Sequence, residues 1–373
     1  MKKNVLCLFF ILIFLPTFLS AQETIGPADA ATEKAGGVKS LENRIEQQEK
    51  AVDRPVASDR WYDRLQISGL VEVEAGYETI DFNDPTVEDE TNSDVDLATV
   101  ELVVDARIVD HVDGHVMFKY EVDDVFVDEG FIALSGTEAF PAYLIAGRQY
   151  IPFGNFDSFF ITDPSTLILG ETNEGSVVAG YRFGGEMLDI SVGAFNGKID
   201  KAGEDDTIDS VVASLAARPL EMVTIGASYT SNLASSDTFS EFVNAPIDDL
   251  VSGWSAFVTF QILERFKIIG ECVAALDNFK AGEIYGAADT KERKPSAWNV
   301  ELGAAVIDSV ELAVRYGGTD DGGADFLPES QHGAVLNGWF FENTNLAVEY
   351  LDDEYEDDAR TVDTLTAQLA VEF

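Results

Sequence analysis

The sequence predicts an all-β protein: a closed antiparallel transmembrane β-barrel of about 16 strands, preceded by a short periplasmic helix or coiled coil. Many segments alternate apolar and polar side chains over the length that a tilted strand needs to cross a membrane. The connections between these segments are alternately short and long, as turns on one side of a membrane and loops on the other would be. The chain also ends on an aromatic strand.

The first candidate strand shows the alternation clearly. Between residues 65 and 77, apolar side chains alternate with polar ones such as Glu72 and Glu74. The connection that follows, residues 80–93, is expected to be a long acidic loop. Aromatic residues near the segment ends fit the girdles of a membrane barrel, as do Tyr77, Tyr120, Tyr316 and Tyr350. A soluble β-sandwich would not explain strand length and loop asymmetry together.

The last predicted strand is apolar on one face and stops at the carboxyl terminus. Leu369, Val371 and Phe373 share its apolar row. An unpaired apolar strand invites aggregation, whereas in a closed barrel the last strand pairs with the first. We expect these three residues to form the signal that the barrel-assembly machinery recognises.

The amino-terminal residues predict export from the cytoplasm. Lys2 and Lys3 precede an apolar run at 5–19, and small residues follow at the end of that run. Residues 1–21 therefore match a secretory signal peptide. Beyond them, no run of about 18 apolar residues remains, which excludes a helical membrane protein.

Three further segments follow the signal peptide. Residues 22–37 are small and polar and predict a flexible leader, and residues 62–373 are assigned to the barrel. Between them, residues 38–54 predict a short periplasmic helical segment with a seam of 4-3-4 spacing, formed by Leu41, Ile45, Gln48 and Val52. This segment is either a lone amphipathic helix near the pore mouth or a coiled coil that helps the chain trimerise or reach the cell wall.

The composition restricts the partners. The net charge is −44, from 68 acidic and 24 basic residues, which makes nucleic acid and anionic membrane surfaces poor partners. Since 46% of residues are hydrophobic, the chain is not a disordered acidic tail. We expect outer-membrane lipid around the barrel, the assembly machinery and a small-molecule solute as partners, and a homotrimer is left open.

Acidic side chains dominate the rows expected to face the lumen, which indicates a weak preference for cations. The acidic positions are Glu72, Glu74, Glu101, Asp105, Glu121, Asp189, Glu271, Glu301, Glu311 and Glu349. The basic positions are Arg107, Lys119, Arg182, Lys267 and Arg315. Many of these charges are expected to pair across neighbouring strands.

The third long connection, residues 150–175, differs from the others because it is rich in aromatic residues. A loop this apolar should not stand in water, so we expect it to fold into the barrel and narrow the pore. A loop packed over the rim without a role in selectivity is the alternative. The residues expected at the constriction are Arg148, Phe153, Phe156, Asp157, Phe159, Phe160, Asp163, Glu171 and Arg182.

The sequence shows few of the motifs that mark catalytic sites. His111, His115 and His332 are the three histidines, and their spacing matches no metal-binding motif. A nucleophile elbow and a glycine-rich phosphate loop are both missing from the sequence. We therefore expect no enzyme, no catalytic residue, no metal and no cofactor.

Three short motifs resemble those of sixteen-stranded porins: QISG at 66–69, GRQYIPFG at 147–154 and AFNG at 194–197. With the signal peptide and the short helical segment, the chain resembles the LbtU family of siderophore-uptake porins over most of its mature length. That resemblance implies passage of an iron–siderophore complex across the outer membrane of a Gram-negative cell, without an energy-coupled plug. A general cation-preferring porin and a structural barrel that links the outer membrane to the cell wall are the alternatives.

Overall fold

The computed structural model describes residues 61–121, 124–185, 187–205, 207–263, 265–356 and 360–373. Sixteen strands are found there, and each pairs antiparallel with its neighbours in chain order. Strand β1 (Leu65–Phe82) also pairs with β16 (Arg360–Glu372), which closes the sheet. The predicted sixteen-stranded antiparallel barrel is therefore confirmed. The segments 1–21, 22–37 and 38–54 lie outside the described residues.

The strands between these two follow one another around the barrel. In chain order they are β2 (Glu90–Val109), β3 (Val112–Glu121), β4 (Asp124–Thr137), β5 (Phe140–Tyr150), β6 (Asn173–Phe183), β7 (Leu188–Phe195), β8 (Ser210–Leu220), β9 (Val223–Thr230), β10 (Gly253–Ile262), β11 (Phe266–Ala275), β12 (Ser296–Ile307), β13 (Val310–Asp320), β14 (Ser330–Phe341) and β15 (Thr344–Glu354). A short helix, α1 (Ser165–Gly170), lies between β5 and β6, and 3-10 turns occupy Trp61–Arg64, Leu233–Ser235 and Phe239–Phe242. In the described part of the chain, none of the helices has the length and apolar character to span a membrane.

The two faces of each strand differ in exposure, as the alternation predicts. On β16, Leu369 and Val371 are exposed, whereas Gln368 and Ala370, on either side of Leu369, are buried. Successive side chains of a strand point to opposite faces. The exposed apolar row therefore faces outward, toward lipid, and the buried row faces the interior.

One end of the barrel has short turns whose residues suit tight reversal of the chain. His111 and Asn343 have φ values of 67° and 55°, and Gly184 and Gly185 have 63° and 74°. Asparagine and glycine reach this left-handed region at low cost. At the opposite end stand the long connections, so the predicted asymmetry of short turns and long loops is present.

The first hairpin is longer than the sequence indicated. Residues 80–93 are not one long loop, because β1 continues to Phe82 and β2 begins at Glu90. The two strands stay paired to the rung that joins Ile80 and Glu90. Polar but β-branched residues such as Thr79 and Thr91, which face each other, sustain the ladder where the apolar alternation has ended.

Barrel closure depends on a contact between the chain's final residue and a glycine. Gly69 and Phe373 exchange two backbone hydrogen bonds, each 3.0 Å from nitrogen to oxygen. The Phe373 ring lies over Gly69, so closely that a Cβ atom at residue 69 would be 2.5 Å from Cζ of the ring. An aromatic ring that covers a glycine on the neighbouring strand is a known device for fixing strand register.

Gly69→Ala should displace the Phe373 ring and weaken the seam by about 1–3 kcal/mol, because the added methyl group has no room. Gly76→Ala on the same strand is the matched control, since a Cβ there meets nothing within 4 Å. Urea titration followed by the heat-modifiable gel mobility of the folded barrel measures both. Equal midpoints for the two variants would contradict this account of the seam.

Candidate functional site

The connection between β5 and β6, residues 151–172, runs through the inside of the barrel; we call it the inner loop. Its backbone and side chains reach residues on β11, β12 and β15, on the far side of the barrel from the strands that carry it. Its first six residues are buried. The inner loop therefore crosses the lumen, as the sequence led us to expect of residues 150–175.

The first attachment point is Glu271 on β11. Its two carboxylate oxygens accept hydrogen bonds from the backbone N–H groups of Asn155 and Phe156, at 2.9 and 2.7 Å. The Ser255 hydroxyl on β10 donates to the same carboxylate at 3.0 Å. A carboxylate can accept several hydrogen bonds at once, and those with a charged acceptor are stronger than neutral ones. Glu271 thus fixes two consecutive peptide groups of the inner loop.

The second attachment point is Glu301 on β12. It accepts hydrogen bonds from the Ser158 hydroxyl at 2.9 Å and the Phe159 backbone N–H at 2.7 Å. Arg315 on β13 completes this group, since its guanidinium donates to Glu301 at 2.9 Å and to Ser158 at 2.6 Å. The side chains of Glu301 and Arg315 are fully buried. The pair therefore has neutralising contacts within the protein, which a buried charge requires.

The third attachment point is Glu349 on β15. It accepts hydrogen bonds from the Ile161 backbone N–H and from the Thr162 hydroxyl, each at 2.6 Å. The three attachment points recur every three residues along the inner loop. Each lies on a different strand, so the loop is tied to one side of the barrel wall along its first half.

Small residues on the wall make room for the loop's aromatic rings. Phe160 is 1% exposed and packs with Ala313, Val335 and Ala347 on β13 to β15. The Phe160 ring also lies under the Arg315 guanidinium, with its centroid 4.2 Å from Cζ. This packing explains why apolar side chains stand on the inward rows of strands that line a lumen.

Phe153 and Phe156 pack against α1 rather than against the open lumen. They share one buried cluster with Leu167 and Leu169 of α1 and with Val273 of β11. Gly170 ends α1 close to both rings, with a Cβ position 3.1 Å from each. The helix was not predicted, because its six residues are too few to show a helical period.

Long loops from other parts of the barrel pack onto the same cluster. Phe239, Phe279 and Phe326 come from the connections after β9, β11 and β13 and belong to it. Phe239 stacks on Phe326 at 5.5 Å between centroids and meets Phe279 edge-on at 5.6 Å. The aromatic residues of these loops therefore join them to the inner loop.

A buried arginine ties these loops together electrostatically. Arg293 forms ion pairs with Asp289 at 2.8 Å, Asp321 at 3.6 Å and Glu356 at 2.9 Å. The three acidic residues come from three different connections. Hydrogen bonds to the Asp289 carboxylate lower its pKa. The bond from the Lys291 backbone N–H has the largest effect, and Arg293 contributes a further one. The network therefore holds the long loops over the strands to which the inner loop is tied.

Most of the residues expected at the constriction lie on the inner loop, in varied roles. Asp157 forms an ion pair with Lys267 on β11, at 3.1 Å. Phe159 covers Gly303 on β12, where a Cβ atom would be 2.4 Å from the ring. Glu171 caps α1, and its carbonyl oxygen accepts the Asp237 backbone N–H at 2.8 Å.

The two arginines of the predicted constriction lie elsewhere. Arg148 is exposed and falls on the outward row of β5 with Leu144, because its neighbour Gln149 faces inward. Arg182 lies beside the short turn after β6, at the opposite end of that strand from Asn173. There it pairs with Asp189 at 3.3 Å. Our expectation that Arg148 lies in the lumen beside the loop is wrong, and a contribution of Arg182 to the field beside the loop stays a prediction.

Charged residues of β1 to β3 line the wall opposite the attachment points. Glu72 and Glu74 on β1 and Glu101 on β2 are partly exposed, and Glu74 accepts a hydrogen bond from Gln368 at 2.9 Å. Lys119 on β3 pairs with Glu121 at 3.1 Å. This wall carries the acidic excess that the sequence predicted for the lumen.

Asp163 connects the two sides of the lumen. It interacts electrostatically with Lys119 and Glu121 of the charged wall and with Arg315 and Glu349 of the attachment side. Asp163 is half-buried as a residue, and burial of its carboxyl group raises the pKa of that group to about 6. Asp163 is therefore the inner-loop group that titrates near neutral pH.

Among the described residues, no group of three or more histidine, cysteine, aspartate or glutamate side chains could hold a metal ion. The glutamates that anchor the inner loop were recognisable from the sequence as inward-facing acids. Their function was not, because their partners are more than a hundred residues away in the chain.

Comparison with known proteins identifies relatives by sequence, although no family model matches the chain. A UPF0422 protein of Coxiella burnetii is 23% identical over 330 residues, covering 84% of this chain and 68% of the relative. A UPF0422 protein of Legionella pneumophila is 23% identical over 305 residues, covering 73% of this chain and 56% of the relative. The matched region thus spans little more than half of the Legionella protein.

Solved structures with the same fold are outer-membrane channels. The outer membrane channel DcaP of Acinetobacter baumannii has a TM-score of 0.59 at 15% identity, covering 83% of this chain and 97% of its own. The anion-selective porin from Comamonas acidovorans has a TM-score of 0.58 at 10% identity, covering 83% and 99%. The chain therefore shares the fold of these outer-membrane channels.

Glu271→Gln should loosen the inner loop by about 1–3 kcal/mol, because an amide cannot offer both oxygens to the two N–H groups. Single-channel recording should then show greater current noise and more frequent transitions than in the wild type. Glu74→Gln is the matched control, an inward glutamate whose hydrogen-bond partner is on β16. Wild-type noise in the Glu271 variant would contradict the anchoring role.

The pH dependence of ion selectivity should report on Asp163. As the pH rises from about 5 to about 7, its carboxyl group loses a proton and adds a negative charge to the lumen. Cation preference, measured from reversal potentials in a salt gradient, should increase over this range. Asp163→Asn should remove part of that increase, and an identical pH profile would exclude Asp163 from the ion path.

Proposed function

We propose that this chain is an outer-membrane porin through which small polar solutes pass passively. The observation that carries the proposal is the inner loop, which is tied to one side of the wall and faces a charged wall on the other. Without such a loop, the lumen of a sixteen-stranded barrel is a wide aqueous channel. The inner loop would set the size limit, and the charged wall would set the preference among solutes.

The charged wall favours a weak preference for cations. Its basic groups have acidic partners, as in the pairs of Arg107 with Asp113 at 3.7 Å and Lys119 with Glu121 at 3.1 Å. Glu72 and Glu74 on β1 add acidic groups to this wall. Rings of carboxylates favour cation passage. A porin of the same fold is described as anion-selective. The proposed cation preference is therefore supported by the charges of this lumen and not by the fold.

The orientation, the assembly and the cargo remain narrower proposals. Short turns and both termini would face the periplasm, and Leu369, Val371 and Phe373 would present the assembly signal. Siderophore uptake follows from the resemblance to the LbtU family, and assembly as a homotrimer follows from the coiled coil predicted at residues 38–54. The acidic wall suits a neutral or cationic iron complex better than an anionic one.

Planar-bilayer recording of the purified barrel tests the channel proposal. Stepwise conductance with a reversal potential that favours potassium over chloride is the expected result. A barrel that inserts without conducting would reject the porin and favour the alternative, a structural barrel that links the outer membrane to the cell wall. Binding of the full-length protein to isolated cell wall would then measure that alternative directly.

Iron-limited growth tests the cargo. A deletion strain supplied with its own siderophore should grow more slowly than the parent, and both strains should grow equally with abundant iron. Unchanged siderophore-dependent growth would reject siderophore uptake while leaving the channel proposal intact.

Deleting residues 153–160 should raise single-channel conductance, because it removes the part of the inner loop that crosses the lumen. Deleting residues 84–88 is a suitable control, since they lie in the short connection between β1 and β2. The control should keep wild-type conductance. Equal conductance in both deletion variants would place the constriction elsewhere.

A further inference from the structure

The outer segment of β2, residues 90–99, is paired on one edge only. It pairs with β1 from the rung Ile80–Glu90 onward. Its pairing with β3 begins only at Val100 and Tyr120 and continues toward Val109. In the described part of the chain, no strand pairs with the other edge of residues 90–99. A row of backbone donors and acceptors is thus left without a neighbouring strand.

This segment continues the barrel wall at the long-loop end, because its partners on β1 are also paired with β16. Residues 90–97 are all exposed, with Val95 at 69%. Glu90, Asp94 and Asp96 make it acidic, and such a sequence does not face lipid. The exposed side chains of this segment therefore suit contact with solvent, at the end of the barrel that is outside the cell in the orientation proposed above.

A local hydrogen bond shows which backbone groups point to the open edge. The Val95 N–H donates to the side-chain carboxylate of Asp94 at 2.7 Å. In an antiparallel strand, the N–H and C=O of one residue point to the same side, and alternate residues point to opposite sides. We therefore assign the groups of Val95, and of Ser93 two residues away, to the open edge.

The two faces of the segment differ in chemistry. Val95 lies opposite Ala75 on the outward face, beside a hollow of about 600 Å³ that is lined by apolar residues such as Val348 and Leu365 and also by Ser93 and Asp94. On the other face, Asp96 lies opposite Glu74, and Asp94 shares that face. A strand added at the open edge would meet apolar groups with one row of its side chains and carboxylates with the other.

We propose that residues 90–99 bind a basic peptide in extended conformation by strand addition, with alternating apolar and cationic side chains. Backbone hydrogen bonds to the open edge would supply affinity, and the two faces would supply specificity. Charge excludes a second copy of this chain as the occupant, because its own edge carries the same acidic residues and its net charge is −44. The proposed binding uses the open edge of β2 and does not depend on conduction.

The test uses the full barrel in detergent micelles and a fluorescent eight-residue probe that alternates lysine and valine, with blocked termini. Fluorescence anisotropy should show saturable binding that weakens as salt is added. A second probe has the same sequence, but alternate backbone amides are N-methylated. It keeps the charge and loses the donors that strand addition needs, so its affinity should fall about tenfold or more.

Two protein variants locate the site. Val95→Pro removes a donor from the open edge and should weaken binding of the first probe about tenfold. Val95→Thr keeps the N–H and the branched side chain and should bind as the wild type does. Heat-modifiable gel mobility shows whether each variant is folded.

Two results would overturn the proposal. Equal binding of the methylated probe would show that the acidic surface attracts cations without adding a strand. Concentration-dependent dimerisation that Val95→Pro abolishes would show that a second copy occupies the edge. If the proline variant does not fold, the comparison of the two probes still decides the question.

Discussion

Every backbone N–H and C=O group inside a lipid bilayer must find a partner within the protein, and the structure follows from that constraint. The barrel meets it by closure, through the ladder between β1 and β16 that ends at Gly69 and Phe373. Closure leaves a wide interior, which creates a second need. A chain segment that enters this interior brings peptide groups of its own, and these also require partners.

The inner loop meets that need with side chains from the wall. Glu271, Glu301 and Glu349 accept its backbone N–H groups at intervals of three residues. Acidic residues that would otherwise set the electrostatic field of the pore are thereby engaged in structure. The remaining acidic excess lies on β1 and β2. The inner loop is therefore tied to one side of the barrel, and the charged wall lies on the other side. The same separation explains why aromatic residues of several loops gather over the attachment side.

Much of the candidate site was visible in the sequence, although its connections were not. The aromatic content of residues 150–175 indicated that this loop folds inward, because burial is the favourable outcome for such side chains. The alternation of apolar and polar residues along each strand likewise indicated the rows of inward-facing glutamates. Arg148 was misplaced, since a motif shows that residues are adjacent in the chain but not which face of the strand each one takes. The continuation of β1 and β2 into residues 80–93 was missed, because polar residues maintain the strand pairing in that stretch.

The sequence by itself determined the barrel, its strand number and the pairing of its last strand with its first. It also indicated which loop enters the barrel. These features depend on local alternation and on the lengths of connections, which a linear chain displays. The tertiary structure alone decided which carboxylates hold the loop, which wall stays charged and which strand edge stays open. Each of these depends on residues far apart in the chain, such as Ile161 and Glu349. Strand register brings such residues together, and a shift of one residue would exchange the lumen and lipid faces.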